Sequence, residues 1–169
     1  MLTPEQQEWV NHLSDTNIIS VLPYNPKTKT IFKMIKKDLI NVLGKTRISL
    51  RGSTALGIAG QGEIDLYIPI SNRNFNVYLD KLIKYLGQPG SVYPLRRVRF
   101  VKYIDDIKIE IFLINKNHSD WKRSIKFEKI LRNDPNALKE YETLKIQNDG
   151  TSPRNYYAKK IEFINNMLS

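Results

Sequence analysis

I-S-L-R-G-S-T-A-L-G-I-A-G-Q-G-E-I-D-L-Y-I-P-I, residues 48–70, reads as a strand, a Gly52-Ser53 turn, a small-residue loop and a second strand carrying Glu63 and Asp65. Strand residues two apart project to the same face, so the two carboxylates point together. Carboxylates supply hard oxygen ligands for Mg²⁺, and a glycine turn lets backbone N–H groups come close to phosphate. The stretch therefore suits a divalent metal with a triphosphate, and nucleotidyl transfer is the chemistry it points to.

Working outward, the residues on either side supply the rest of an α/β (α+β) fold. Upstream, Thr3-Pro4-Glu5-Gln6 starts a short helix that ends near His12 to Asp15. From Lys27 to Leu43 the apolar residues Ile31, Ile35, Leu39, Val42 and Leu43 recur at helical spacing, and Gly44 closes that helix. Downstream, a helix over about Phe75 to Leu86 turns Val77, Leu79, Leu82 and Ile83 toward the core, and Gly87-Gln88-Pro89-Gly90 breaks it.

Two β-rich runs, Val98–Ile104 and Ile107–Ile114, flank Asp105-Asp106 and read as a hairpin whose two aspartates serve the turn. With Arg47–Leu50 and Ile64–Ile70 they make a small mixed sheet, flanked by helices. In the second hairpin strand Ile109, Ile111 and Leu113 share one face, and Lys108, Glu110 and Phe112 the other. An acid within so apolar a strand is costly if buried unpaired. Glu110 is therefore read as the third member of a site with Glu63 and Asp65, the alternative being a solvated sheet face. The three carboxylates are expected on the order of 4–7 Å apart, the reach of two ions about 3.5–4 Å from each other.

The remainder is helical: Ser119-Asp120 caps a helix from Trp121 to Arg132, Asn133-Asp134-Pro135 restarts another to Gln147, and Asn155 to Leu168 forms the last. No internal repeat or flexible linker appears. The expectation is one domain over residues 1–169, with the catalytic sheet at about 27–115 and C-terminal helices at 119–168.

Composition narrows the classes. A chain of 169 residues at 41% hydrophobic can build one real core. With no cysteine there is no disulfide framework, thiol nucleophile or cysteine-based metal cluster. No apolar run reaches about 18 residues and the N-terminus lacks a signal-peptide layout, so a soluble, cytoplasmic protein without membrane association is expected. The net charge of +10 and pI near 9.7 favour polyanionic partners, RNA among them, against the plainer reading of lysine-rich solvated helices.

Leu50-Arg51-Gly52-Ser53, nine intervening residues, then Glu63-Ile64-Asp65-Leu66, with Glu110 on a later strand, resembles the signature of the DNA polymerase beta-like nucleotidyltransferase superfamily. Within it the chain resembles the GrpB-like family of small single-domain proteins. The resemblance rests on Gly52 to Gly60, on Ile64-Asp65-Leu66, and on the distal run from His118 to Lys145 with Tyr157, Lys160, Phe163 and Ile164. It covers roughly residues 48–166. Two departures stand out. The loop before the acids is shorter than the family's usual version and lacks its proline. Glu63 and Glu110 stand where many relatives carry no acid.

The resemblance implies a Mg²⁺-dependent transfer of a nucleoside monophosphate from an NTP, ATP being favoured, to an acceptor hydroxyl, an RNA end being favoured. Two Mg²⁺ ions, or Mn²⁺ in their place, would be held by Glu63, Asp65 and Glu110. Gly52 and Ser53 would meet the β- and γ-phosphates, and Arg51 and Lys102 would add positive charge. Arg96, Arg97, Arg99, Lys122, Arg123 and Lys160 are further cations, of which Arg97 and Arg99 share a strand face. Trp121 and Tyr157 are read as core, and His118 as a neighbour of a helix cap. Two other readings stay open: a catalytically silent nucleotide- or RNA-binding module, and a toxin-like or regulatory nucleotidyltransferase working with a partner protein.

Overall fold

The computed structural model describes residues 1–169 and divides into two compact units: residues 24–57 with 62–122, and residues 1–23 with 58–61 and 123–169. The first is built on a five-stranded mixed sheet in the order β1-β2-β5-β4-β3. Its strands are β1 (Ser49–Arg51), β2 (Ile64–Ile70), β3 (Ser91–Tyr93), β4 (Arg97–Ile104) and β5 (Ile107–Asn115). β2 runs parallel to β5, and every other pairing is antiparallel.

One face of this sheet is apolar because alternate residues of the central strands are. Ile64, Leu66, Ile68, Val98, Phe100, Ile109, Ile111 and Leu113 are buried there, under α2 (Lys27–Leu43) and α4 (Phe75–Leu86). α2 contributes Ile31, Ile35, Leu39 and Leu43, as its periodicity predicts. α4 contributes Phe75 and Leu82, with Tyr78, Leu79, Ile83 and Leu86 partly buried. The expectation for Val77 fails, for it is 56% exposed. At 100° per residue it lies two positions from Phe75 and five from Leu82, on the far side of the helix.

The hairpin between β4 and β5 turns at Asp105 and Asp106, both at positive φ (48° and 62°), the left-handed pair that a two-residue connection requires. β3 has no counterpart in the sequence reading. It is three residues long, too short to show alternation, and it pairs only with Arg97 to Arg99 of β4. Instead of a loop directly after Gly52-Ser53, the chain forms a one-turn helix, α3 (Gly52–Leu56). Glu63 falls just ahead of β2 rather than within it.

The second unit is helical. α1 (Pro4–Asn11) begins with a full capping box between Thr3 and Gln6. α5 (Ser119–Asn133) passes into this unit at Arg123. α6 (Pro135–Gln147) is capped by Asp134 and α7 (Pro153–Leu168) by Ser152. Aromatic rings fill its interior: Phe127 meets Tyr141 edge-on at 5.2 Å, and Tyr141 stacks on Phe163 at 5.5 Å. Gln61 donates to the Tyr157 hydroxyl at 3.0 Å, and Trp9 meets the Tyr157 ring edge-on. No helix in the chain is long and apolar enough to cross a membrane.

Candidate active site

The face of the sheet turned away from α2 and α4 carries the charged residues. Strand register puts Arg51, Asp65 and Glu110 side by side, since Arg51 pairs with Asp65 and Asp65 with Glu110. Glu63 lies two residues before Asp65 and joins them. One carboxylate oxygen from each of Glu63, Asp65 and Glu110 lies within 4.8 Å of the others. The structure thus brings together the three acids that the sequence singled out.

Gly52 adjoins this cluster, and any side chain there is strained. Its φ is +69°, and a Cβ there would run into the Asp65 Oδ2. A glycine there leaves room for phosphate, but the nearer physical reason for it is the Asp65 carboxylate itself. Thr54, on the single turn of α3, donates its hydroxyl to the Glu63 carbonyl at 2.8 Å. That bond fixes the backbone that delivers Glu63 to the cluster. Ser53 follows Gly52 on the same turn, half-buried.

Like charges this close need compensation, and Lys108 and Arg99 supply it to Glu110 and Glu63. Lys108 Nζ lies 2.7 Å from Glu110 Oε1 and 3.2 Å from Glu63 Oε2. Arg99 Nη1 donates to the same Glu110 oxygen at 3.0 Å. The Glu110 side chain is only 9% exposed, so the pairing explains how an acid is tolerated in so apolar a strand. Burial alone would lower the Lys108 pKa, but hydrogen bonds to Glu110 and Glu63 and the charges of both outweigh it and hold the ammonium well above its ordinary range.

The other cations divide. Arg51 is buried in the acid row, with its guanidinium over the Trp121 ring at 5.1 Å. Trp121 also stacks on Tyr67, which stacks on Phe112, so this face is aromatic beyond the acids. Arg97 lies over Phe112 and Tyr93, and Arg96 binds Asp120 at 2.6 Å. His118 Nδ1 accepts from the Asp120 backbone N–H at the start of α5, a capping role. Lys102 is not brought to the site. It pairs in register with Ile109, whose side chain belongs to the covered face, and its ammonium lies over Tyr85 of α4. Strand parity separates it from Arg99 by an odd step, a signal already present in the sequence.

Lys108 belongs to this charged cluster, although its place there was not read from the sequence. Its signal was the pattern Lys-Ile-Glu, which sets a cation beside Glu110 on one strand face. The parallel pairing with β2, which sequence alone did not reveal, adds Glu63 to that contact.

A family model described as GrpB protein matches residues 18–169, and the chain belongs to that family. Among solved structures it is similar to the conserved protein GrpB from Enterococcus faecalis, with a TM-score of 0.64 and 16% identity over 88% of this chain and 99% of that one. That likeness establishes a shared fold. Two weaker likenesses, each with a TM-score of 0.42, are to the Cid1 poly(U) polymerase and to a cytoplasmic RNA terminal U-transferase. Identity is 13% over 90% of this chain for the first and 12% over 92% for the second, and the chain spans 52% of each. No curated protein matches the sequence.

Proposed function

We propose that this protein is a Mg²⁺-dependent nucleotidyltransferase. It moves a nucleoside monophosphate from an NTP, ATP being the favoured donor, to an acceptor hydroxyl, an RNA end being the favoured acceptor. The observation that carries this reading is the convergence of Glu63, Asp65 and Glu110 on one sheet face. Three carboxylates are a hard-oxygen donor set that fits Mg²⁺ or Mn²⁺. Bound there, the metal would supply charge neutralisation at the triphosphate and at the attacking and leaving oxygens.

The chain's own residues position the reactants. Gly52 and Ser53, beside Asp65, meet the β- and γ-phosphates through backbone amides and the serine hydroxyl. Arg51 adds positive charge in the same row. The acceptor oxygen bonds to the α-phosphorus as the bond to the α–β bridging oxygen breaks; pyrophosphate leaves, and the acceptor's proton passes to a carboxylate of the cluster. Residues 1–169 act in this as one nucleotidyltransferase-like domain, in the cytoplasm where NTPs are found.

A second reading is favoured by the ion pairs of Lys108 and Arg99 with the acids. They neutralise much of the charge that would attract metal, as a catalytically silent nucleotide-binding module would tolerate. Incubation with each α-labelled NTP, Mg²⁺ and total RNA or protein separates the two. Transferred label supports the enzyme, and NTP binding without transfer supports the silent module. In a parallel melting experiment Asp65→Asn is expected to stay folded and to lose any rise in melting temperature caused by Mg²⁺ with NTP. An unfolded variant, with no metal-linked shift in the wild type, would make Asp65 structural.

A further inference from the structure

Lys108 has a position as unusual as that of the acids. Its Nζ sits between Glu63 Oε2 at 3.2 Å and Glu110 Oε1 at 2.7 Å, so one ammonium bridges two of the three carboxylates. Arg99 is bound to Glu110 alone. With Arg51 beside Asp65 in the same row, three carboxylates face three cations, so an incoming ion meets a cluster whose charge is already largely balanced. A divalent ion seated between Glu63 and Glu110 would need the oxygens that Lys108 now holds.

We propose that Lys108 is a built-in counter-ion that competes with divalent metal for Glu63 and Glu110, so that tight metal binding waits for the triphosphate. The proposal rests on the nucleotidyltransferase reading and adds a rule for the order of binding. A triphosphate brings several negative charges to the same place, and they can take over the ammonium as the carboxylates turn to metal. Metal and nucleotide should therefore each strengthen the binding of the other, and Lys108 should be the residue through which much of that coupling passes. Lys108 is a positioning residue in this scheme, since it acts through the carboxylates.

The test is a calorimetric titration with Mn²⁺, without nucleotide and then with a non-hydrolysable ATP analogue. It compares the wild type with Lys108→Met and with Lys108→Gln, which removes the charge but keeps hydrogen-bond donors. Removing one positive charge about 4 Å from a divalent ion is expected to tighten Mn²⁺ binding roughly ten- to a hundredfold without nucleotide. The gain in Mn²⁺ affinity caused by the analogue should shrink in both variants. Melting supplies a second readout: the variants should melt below the wild type in EDTA, and added Mn²⁺ should raise them more than it raises the wild type. If Lys108→Met does not fold, the same readings on Lys108→Gln decide.

The outcomes separate the proposal from the reading beneath it. Equal Mn²⁺ affinity in wild type and variants overturns the role of Lys108 and leaves the metal site standing. Weaker affinity in the variants overturns it too. No Mn²⁺ binding by any of the proteins, with or without the analogue, overturns both this proposal and the nucleotidyltransferase reading.

Discussion

On one face of the sheet Ile64, Leu66, Ile68, Ile109, Ile111 and Leu113 are wholly buried beneath α2 and α4; on the other, the residues between them are Asp65, Tyr67, Glu110 and Phe112. The same two strands make both faces, and only parity separates them. The covered face is held by burial of apolar area, which is non-directional and spreads over many neighbours. The open face is held by pairs with names and distances: Lys108 with Glu110 and Glu63, Arg99 with Glu110, Arg51 over Trp121. The first face should answer substitution in stability and the second in ligand binding.

The largest effect is expected from Leu66→Ala, at a residue with no solvent exposure in β2. Loss of a buried leucine's transfer energy together with the cavity it leaves should cost about 2–5 kcal/mol. Urea unfolding measures this, and Mn²⁺ affinity of the folded fraction should be unchanged. A loss of metal affinity as large as the loss of stability would show that the two faces are coupled and would break the division.

Gly52→Ala comes next and tests where the open face meets α3. The positive φ disfavours any side chain, and the new Cβ would meet Asp65 Oδ2. Together these should cost about 1–3 kcal/mol. In an Asp65→Gly background the collision is gone and only the backbone penalty remains, so the alanine should cost less there. Equal cost in the two backgrounds would mean that the carboxylate does not dictate the glycine.

The pairing of Lys108 has a pH signature. Its folded pKa is raised above the ordinary 10.5, so its contribution is fully present below the unfolded value and is lost only as pH climbs through the folded one. The difference in stability between wild type and Lys108→Met, in EDTA, should stay level from pH 7 to about 9 and shrink above about 10.5. Urea melts across that range read it directly. A difference that fades between pH 7 and 9 would show that the carboxylates do not hold the ammonium.

These contrasts also show what was legible in the sequence. Alternation in Ile64–Ile70 and Ile107–Ile114 revealed both strands and the faces of Asp65 and Glu110, because parity is a local property, and Glu63 reaches the same cluster from just ahead of β2. Helical periodicity fixed α2 and α4 to the residue. Neighbour relations between distant strands were not local: the parallel register that sets Asp65 beside Glu110 and leads Lys108 to Glu63 depends on the β4–β5 hairpin lying next to β2. β3 was missed because three residues carry no period, and Val77 was misplaced because an apolar residue on a helix need not face the core. Among the cations, charge alone could not choose. Arg99 and Lys102 look alike in sequence, and an odd separation on one strand sends them to opposite faces.

The smallest effect, and the most direct check on parity, is expected from Lys102→Ala. Lys102 is exposed, and its ammonium lies 5.8 Å from the Tyr85 ring centroid on the face covered by α4. A solvent-accessible cation–π contact of that kind contributes roughly 0.5–1 kcal/mol at most, so the melting temperature should hardly move. Mn²⁺ and nucleotide affinity should not move either, because the sheet itself separates Lys102 from Glu110. Arg99→Ala, three residues earlier in the chain and bound to Glu110 at 3.0 Å, should by contrast change Mn²⁺ affinity upward by removing a competing positive charge. Should Lys102→Ala weaken nucleotide binding while Arg99→Ala leaves metal binding untouched, the ligand site would lie on the face covered by α2 and α4. Parity would then have been read the wrong way round.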